Sequence, residues 1–148
     1  MKAPTPRDPK RSALMSRVRQ RGTATELEVA VILRNLGYAY RLNVKSLPGS
    51  PDFANRKRKW AIFVNGCFWH HHSGCRQATI PKTNKRFWRD KFLTNRQRDA
   101  KAIRTLRSAG FRVAIVWACK AKDDLTLTNR LSKLLESRRI YVPKTIDH

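Results

Sequence analysis

The chain of 148 residues carries 33 lysines and arginines against 10 aspartates and glutamates, a formal charge of +23 at pH 7. A compact domain with this charge repels itself unless a polyanion is bound, so nucleic acid is the expected partner. A ribosomal or histone-like protein would share the charge, but such chains seldom carry four tryptophans, three tyrosines and six phenylalanines. The basic residues are spread along the whole chain, which disfavours a membrane-surface helix.

The length fits one domain, and we expect a mobile basic arm over residues 1–11 followed by a single domain over residues 12–148. Three cysteines cannot all pair within one chain, and no apolar signal region follows the first two residues. We therefore predict a reducing, cytoplasmic compartment. The longest apolar runs, 60–64 and 113–119, fall far short of the ~20 residues that cross a bilayer, so no membrane segment is predicted.

The first half of the chain predicts two helices and three strands. Residues 12–21 indicate a short basic helix. Thr23 and Glu26 form a T-x-x-E capping box for a second helix that ends at Gly37 and whose apolar stripe is Val29, Ile32, Leu33 and Leu36. Residues 38–44 alternate as a strand does, and a turn at 48–51 comes before Asp52, which is predicted to begin the next strand. A charged hairpin turn at 56–59 returns the chain along a strand at 60–64.

The second half predicts a long helix over residues 86–108, with Gly110 after its end. One face of this helix is basic and is either a contact for phosphates or an ordinary solvated surface, with Arg96, Arg98, Lys101, Arg104 and Arg107. The near-continuous apolar run 111–117 predicts a strand central to the sheet, and residues 125–136 predict a closing helix. The order α, β, β, β, α, β, α indicates a mixed α/β fold.

Metal ligands are concentrated just after the strand at 60–64. Nine positions hold two cysteines and three histidines, and a third cysteine follows the later apolar strand, so Cys67, Cys75, Cys119 and one histidine supply a Cys3His structural zinc site. The alternative is three unrelated buried thiols. Spacing does not choose among His70, His71 and His72, although an extended segment would put the first and third on one side.

Asp52 follows a proline and lies beside a paired strand, as the magnesium carboxylate of restriction-type nucleases does. The second strand of such enzymes normally carries an E-x-K pair, yet this chain has no carboxylate between Asp52 and Asp90. Three kinds of group remain to complete a site: a backbone carbonyl at the end of strand 60–64, a histidine from 70–72, and Glu26. Glu26 also completes the capping box, so its role stays open between catalysis and helix capping.

Three aromatic residues accompany these polar groups, namely Phe68, Trp69 and Trp88. Base stacking or intercalation is one role, and core packing is the usual one. Phe68 and Trp69 lie between Cys67 and His70, where burial on both sides is difficult. This position favours a DNA-binding role for those two.

Taken together, these segments resemble the very short patch repair (Vsr) endonucleases over about residues 12–119. The motifs are PDF at 51–53, GCFWHHHSGC at 66–75, PKTN at 81–84, FW at 87–88, NRQRD at 95–99 and VWAC at 116–119. The resemblance implies a restriction-endonuclease-like mixed sheet flanked by helices, with a structural zinc. It also implies a monomer that uses magnesium to cut one DNA strand just 5′ of the thymine in a T:G mismatch. Such mismatches arise when 5-methylcytosine deaminates, so a cytosine-5 DNA methyltransferase and mismatch-repair proteins are the implied partner systems.

The same resemblance implies roles for individual residues. Asp52 becomes the magnesium carboxylate, together with the carbonyl of Val64; His70 becomes the general base and Glu26 an auxiliary acid. The implied zinc ligands are Cys67, His72, Cys75 and Cys119, and the implied wedge beside the mismatch is Phe68, Trp69 and Trp88. Val64 stands where some relatives carry a hydroxyl residue, and Asn65 stands where others carry histidine or aspartate. Two alternatives remain: a zinc-bearing DNA-binding module without catalysis, and a restriction-type nuclease without mismatch preference.

Overall fold

The computed structural model describes residues 23–68, 70–76, 78–121 and 123–141, the last five by backbone alone. Within these residues lie three α-helices, α1 (Ala24–Asn35), α2 (Lys85–Ser108) and α3 (Asp124–Tyr141). Four strands accompany them, β1 (Arg41–Leu42), β2 (Phe53–Asn55), β3 (Trp60–Asn65) and β4 (Arg112–Trp117), and a 3-10 turn follows at Ala118–Lys120. The mixed α/β architecture is confirmed, whereas the helix predicted at 12–21 lies outside the described residues. None of the described helices is long and apolar enough to cross a membrane.

The strands form one sheet in the order β1-β2-β3-β4. β2 is antiparallel to both of its neighbours, and β4 runs parallel to β3 with Trp60 opposite Arg112 and Asn65 opposite Trp117. Parallel strands end at the same edge of a sheet, so the segment that follows Asn65 and the segment that follows Trp117 emerge side by side. The predicted hairpin that pairs β2 with β3 is also confirmed.

Helix α1 begins as its capping box predicts, because the Thr23 hydroxyl accepts a hydrogen bond from the Glu26 amide at 3.3 Å. It ends before Gly37, whose φ of +79° is a left-handed conformation suited to glycine. The predicted apolar stripe faces inward, since Val29, Ile32 and Leu33 are buried. The start of α1 is therefore fixed in place, and with it the position of Glu26.

Helices cover both faces of the sheet. On one face, alternate residues of β3 and β4 pack with α1 and α3 in a core that includes Val29, Leu33, Phe53, Trp60, Ile62, Val64, Ala114, Val116, Leu127 and Leu131. The other face packs on α2 and includes Ala54, Ala61, Phe63, Ile103, Leu106 and Val113. The predicted central position of the strand at 111–117 is wrong, because β4 is an edge strand of the described sheet. Its apolar run reflects helices on both faces and not strands on both sides.

The strand predicted at 38–44 is also shorter than expected, and only Arg41–Leu42 pairs with β2. Asn43 adopts a φ of +47°, and the chain then turns through hydrogen bonds from Leu47 to Val44 and from Ser50 to Leu47. Asp52 precedes β2, which begins at Phe53. Asp52 thus lies in a loop that is held at the end of the sheet.

Gly49 allows this loop to lie directly on the sheet and α2. Its φ is +74°, and a Cβ atom there would come within 2.7 Å of Ala102 Cβ and 3.0 Å of the Phe63 ring. Both contacts are shorter than packed carbon atoms tolerate. A side chain at position 49 would push the loop, and with it Asp52, away from the end of β3.

Candidate active site and metal-binding cluster

Asp52 is bound at the end of β3 by the backbone of Val64. The Val64 amide donates to Asp52 Oδ2 at 2.6 Å, and the Asp52 carbonyl accepts from the Asn43 amide at 3.0 Å. The pKa of the Asp52 carboxyl is raised to about 6, mainly by burial. The hydrogen bond from Val64 acts to lower this pKa, and the nearby Glu26 carboxylate acts to raise it. A carboxylate with such a pKa is stabilised by any cation that reaches it.

The Val64 carbonyl faces the same side of β3 as its amide. In an extended strand, the N–H and C=O of one residue project toward the same neighbouring strand. Because the Val64 amide donates to Asp52, the Val64 carbonyl also points toward the side of β3 on which β2 lies. At Val64, this side faces the segment before β2, which begins only at Phe53. Strand geometry therefore directs this carbonyl to the side of β3 on which Asp52 lies.

A cavity of about 370 Å³ lies in front of these groups. Its wall brings together all three residues that the sequence singled out for catalysis, Glu26, Asp52 and His70. Its wall also contains residues that are not among the predicted catalytic ones, namely Asn65, Lys91, Asn95, Arg98 and Asp99. In the described part of the chain, three carboxylates, one imidazole and two cations thus share one concave site, which makes it a candidate catalytic centre.

His70 is oriented by Asp99, which the sequence did not predict to be functional. His70 Nδ1 lies 2.6 Å from Asp99 Oδ2, and both side chains are about one-third exposed. An ionised Asp99 accepts the proton of Nδ1, which leaves Nε2 as the acceptor nitrogen of a neutral ring. This is the tautomer that a general base requires.

The missed residues of α2 share a helical face. Lys91, Asn95, Arg98 and Asp99 are spaced i, i+4, i+7 and i+8, and all four line the cavity. Helical periodicity could have grouped them, because positions with these spacings lie on one side of a helix. In the sequence Arg98 is one of several residues on a basic helix face, whereas the structure places it beside Asp99 at the cavity.

Asn65 is the one buried polar residue that belongs to this cavity in the described part of the chain, with 6 % exposure. It ends β3 opposite Trp117. A carboxamide does not titrate at physiological pH, so position 65 supplies hydrogen-bonding groups without an acid or base. In this chain His70 is therefore the imidazole that lines the cavity.

The predicted metal ligands also converge. The ligand atoms of Cys67, His72, Cys75 and Cys119 lie within 4.8 Å of one another. His72 Nδ1 is 3.4 Å from Cys119 Sγ, and the His72 ring stacks on Trp117 at 4.0 Å between centroids. Burial raises the pKa of the Cys67 thiol to about 11. This set of three sulfurs and one imidazole is a candidate metal-binding cluster.

The ligand segment is a series of turns and is not extended. The amides of His70, His71 and His72 donate to the carbonyls of Gly66, Phe68 and Cys67 respectively. The three histidines consequently point to three different places. His70 faces the cavity, His72 joins the cysteines, and His71 stacks on Phe92 with ring centroids 4.5 Å apart.

Phe68 and Trp88 belong to an aromatic cluster on the first turns of α2. The Phe68 ring contacts Trp88 at 5.8 Å and Phe92 at 5.4 Å, both edge to face. Phe92 is buried, whereas Phe68 and Trp88 are only partly buried. Phe92 thus packs against both rings, and part of each ring stays accessible to solvent. Trp69, the third predicted wedge residue, lies outside the described residues.

Comparisons with known proteins identify relatives over most of the chain. The family model of the DNA mismatch endonuclease Vsr matches residues 6–77. The DNA mismatch endonuclease Vsr of Escherichia coli K12 is 41% identical over 128 residues, which is 83% of this chain and 81% of that protein. The type II nicking enzyme V.XorIIP of Xanthomonas oryzae pv. oryzae is 41% identical over 127 residues, 86% of this chain and 93% of the relative. V.NmeAIP of Neisseria meningitidis is 38% identical over 126 residues, 85% and 89% of the two chains.

The chain belongs to the Vsr family. It is a DNA mismatch endonuclease, a phosphodiester hydrolase that nicks DNA. The hypothesis of a DNA-binding module without catalysis is therefore set aside. Membership in the Vsr family also accounts for the charge of +23, because the substrate is a polyanion.

The pairing of His70 with Asp99 generates a prediction for this Vsr-family enzyme. Asp99→Asn should lower the single-turnover nicking rate by about 10²–10⁴-fold, the range by which a positioned acid or base contributes. The amide can donate to Nδ1 and so favour the wrong tautomer. Asp90→Asn, an exposed residue on the same helix, serves as the control. Equal rates for Asp99→Asn and wild type would contradict the proposed orientation of His70.

Proposed function

We propose that this Vsr-family enzyme uses magnesium to cut one strand immediately 5′ of the thymine in T:G mismatches that arise by deamination of 5-methylcytosine. The observation that carries the proposal is the convergence of Asp52, Glu26 and the His70–Asp99 pair on one cavity of about 370 Å³. The partner systems are a cytosine-5 DNA methyltransferase and mismatch-repair proteins, and the working unit is a monomer with a restriction-endonuclease-like fold.

The groups around Asp52 fit magnesium. Magnesium prefers hard oxygen ligands and is usually held by one or two carboxylates, with the rest of its ligands from water and substrate. Asp52 and the Val64 carbonyl would hold it, and Glu26 would act as an auxiliary acid in the same cavity. When bound, the ion supplies charge stabilisation at the phosphate and the leaving oxygen. The raised pKa of Asp52 fits this role, because a cation offsets the cost of burying its charge.

His70 would act as the general base. Its Nε2 is the free acceptor when Asp99 holds the proton on Nδ1. Attack of water on the phosphorus forms one P–O bond and breaks the bond to the 3′ oxygen, and Nε2 takes the proton of the water. Asp99 remains ionised and stabilises the imidazolium that results.

Zinc is the metal that fits the cluster of Cys67, His72, Cys75 and Cys119. A Cys3His set is a common structural zinc site, and four protein ligands leave no open coordination position for catalysis. The high pKa of the buried Cys67 thiol describes the protein without a cation, and a metal must displace that proton. We assign zinc a structural role in fixing the turns at 67–75.

Phe68, Trp69 and Trp88 would form the wedge inserted beside the mismatch. Phe68 and Trp88 are supported by Phe92 and partly accessible, which suits rings that must enter a base stack without collapsing. Unstacking a base step costs a few kcal/mol and costs less at a mismatched pair. Recognition of T:G would then depend on the energy of insertion.

Replacement of the metal carboxylate provides the first test. Asp52→Asn should lower magnesium-dependent nicking by at least about 100-fold, while duplex affinity stays equal or rises, because a negative group beside the phosphate is lost. Rates are measured on a T:G duplex at saturating enzyme, and affinities without magnesium. Retained magnesium-dependent nicking by Asp52→Asn would place the active site elsewhere.

The same variant tests the electrostatics of burial. The pKa of Asp52 is raised from 3.8 to about 6, so the folded state binds this proton more tightly than the unfolded state does. Its contribution to stability is fully present below pH 3.8 and is lost as the pH rises to about 6. In metal-free buffer, Asp52→Asn should therefore lose less stability than wild type between pH 4 and pH 7, measured by denaturant unfolding.

Removal of one sulfur tests the zinc assignment. Cys119→Ser should lose bound zinc and several kcal/mol of stability, since structural zinc binding contributes about 10–16 kcal/mol in small zinc peptides. Zinc content is measured by metal analysis and stability by thermal unfolding with and without chelator. His71→Gln, beside a ligand but outside the set, should retain its zinc. Wild-type protein without tightly held zinc would refute the assignment.

Shortening a wedge residue tests mismatch recognition. Phe68→Ala should reduce the ratio of nicking rates on T:G and T:A duplexes about tenfold, the equivalent of roughly 1.4 kcal/mol of insertion energy. Phe87→Ala removes a ring that contacts Trp88 and is the matched control. Zinc content is checked in each variant. An unchanged ratio for Phe68→Ala would mean that the ring only packs, and that hydrogen bonds to the bases provide recognition.

A further inference from the structure

A second concave surface lies at the β1 edge of the sheet. It is an open groove of about 1210 Å³, with residues 39–46 on one wall and residues 54–57 on the other. Among the residues that the structure describes, four exposed cations line it, Arg41, Lys45, Arg56 and Lys57, and no acidic residue does. We call this surface the basic groove. From the sequence, residues 56–59 are predicted only as a charged hairpin turn.

The basic groove joins the catalytic cavity through Asn43, which lines both. The Asn43 amide donates to the carbonyl of Asp52 at 3.0 Å, so the junction between the two surfaces is tied to the candidate metal carboxylate itself. A DNA strand whose phosphate lies at Asp52 can therefore continue over Asn43 into the groove. The two surfaces form one continuous path.

The walls of the groove are held rigidly. The Arg56 guanidinium donates to the Ser46 hydroxyl and so links the two walls. The Asn55 amide group donates to the Ala39 carbonyl at 3.0 Å, and its side-chain oxygen accepts from the Arg58 amide at 2.9 Å. The cations are thus displayed on a preformed surface, which lowers the entropy lost when a partner binds.

Charge within the cavity explains why binding energy must come from outside it. Within the described residues, Glu26, Asp52 and Asp99 line the cavity together with two cations, Lys91 and Arg98. Before a metal binds, these carboxylates repel a phosphate. Affinity for the duplex therefore depends on cations beyond the cavity, and each neutralised phosphate contributes about −0.9 to the slope of log K against log salt.

We propose that the basic groove binds the sugar-phosphate backbone of the duplex flanking the cut site. This inference depends on DNA as the substrate and not on the T:G preference. The groove has apolar residues between its cations, including Leu42, which is 59% exposed. Such a surface suits the alternation of deoxyribose and phosphate. Because it lies outside the cavity, the groove adds affinity and register without taking part in the reaction.

The test combines flank length with matched charge changes. Lys45→Gln/Lys57→Gln removes two positive charges from the groove. Lys133→Glu changes the net charge by the same amount on α3, in a depression beside the opposite edge strand, β4. Dissociation constants are measured without magnesium, at several salt concentrations, on duplexes whose flanks are lengthened on either side of a central mismatch. A matched duplex series of the same lengths is run in parallel.

The wild-type protein should gain affinity as one flank lengthens, and the groove variant should lose most of that gain. The salt slope on the long duplex should fall by about two, one for each lost phosphate contact, while Lys133→Glu changes it less. Saturating single-turnover rates should stay within about twofold, because neither lysine lines the cavity. The proposal is overturned if the groove variant gains as much affinity from a longer flank as the wild type does, or if Lys133→Glu reduces that gain equally. The groove would then bind an acidic protein or no ligand. If affinity rises with flank length but the enzyme shows no preference for T:G, the proposed function is refuted and the proposed role of the groove is supported.

Discussion

The parallel pairing of β3 with β4 is the constraint on which the functional sites depend. Six residue pairs, from Trp60 with Arg112 to Asn65 with Trp117, keep the two strands in a single register. A slip by one residue would reverse which side chains face α2 and which face α1 and α3, and would expose the apolar face. The register therefore sets where Cys119 arrives relative to Cys67, and with it the geometry of the metal-binding cluster.

The end of β3 contributes to both the cavity and the metal-binding cluster, and the end of β4 contributes to the cluster. β3 delivers the Val64 amide to Asp52 and passes directly into Cys67 and His70. β4 delivers Trp117, whose ring stacks on His72, and then Cys119. The metal-binding cluster and the catalytic cavity are consequently neighbours on a short length of chain.

Much of this could be predicted from the sequence where local patterns and strong motifs agree. The capping box at Thr23, the stripe on α1, the hairpin between β2 and β3, and a cluster of three cysteines with one histidine follow from spacing and chemistry. The choice of His72 among the three histidines rests on the family resemblance. The pairing of His70 with Asp99 joins residues 29 positions apart and depends on how α2 crosses the sheet. Residue patterns carry no information on that crossing. The edge position of β4 was missed because burial by helices gives the same apolar run as burial by strands.

The turns at 67–75 bring the candidate metal-binding cluster and the cavity close together. Three adjacent histidines have nearly identical sequence surroundings, yet one faces the cavity, one packs on Phe92 and one joins the cysteines. Only a tightly wound segment sends neighbouring side chains in such different directions, and His71 accordingly adopts a left-handed φ of +46°. As proposed, a common ion bound by Cys67, His72 and Cys75 would restrain both ends of this segment and its middle. His70 Nδ1 then lies 2.6 Å from Asp99, and the Phe68 ring contacts Trp88. With the loop held in this way, it would not have to be ordered each time that a substrate binds. Under the proposed roles, the metal would contribute to catalysis through the position of its neighbours, since precise placement of a base and a wedge lowers the entropy that the reaction must otherwise lose.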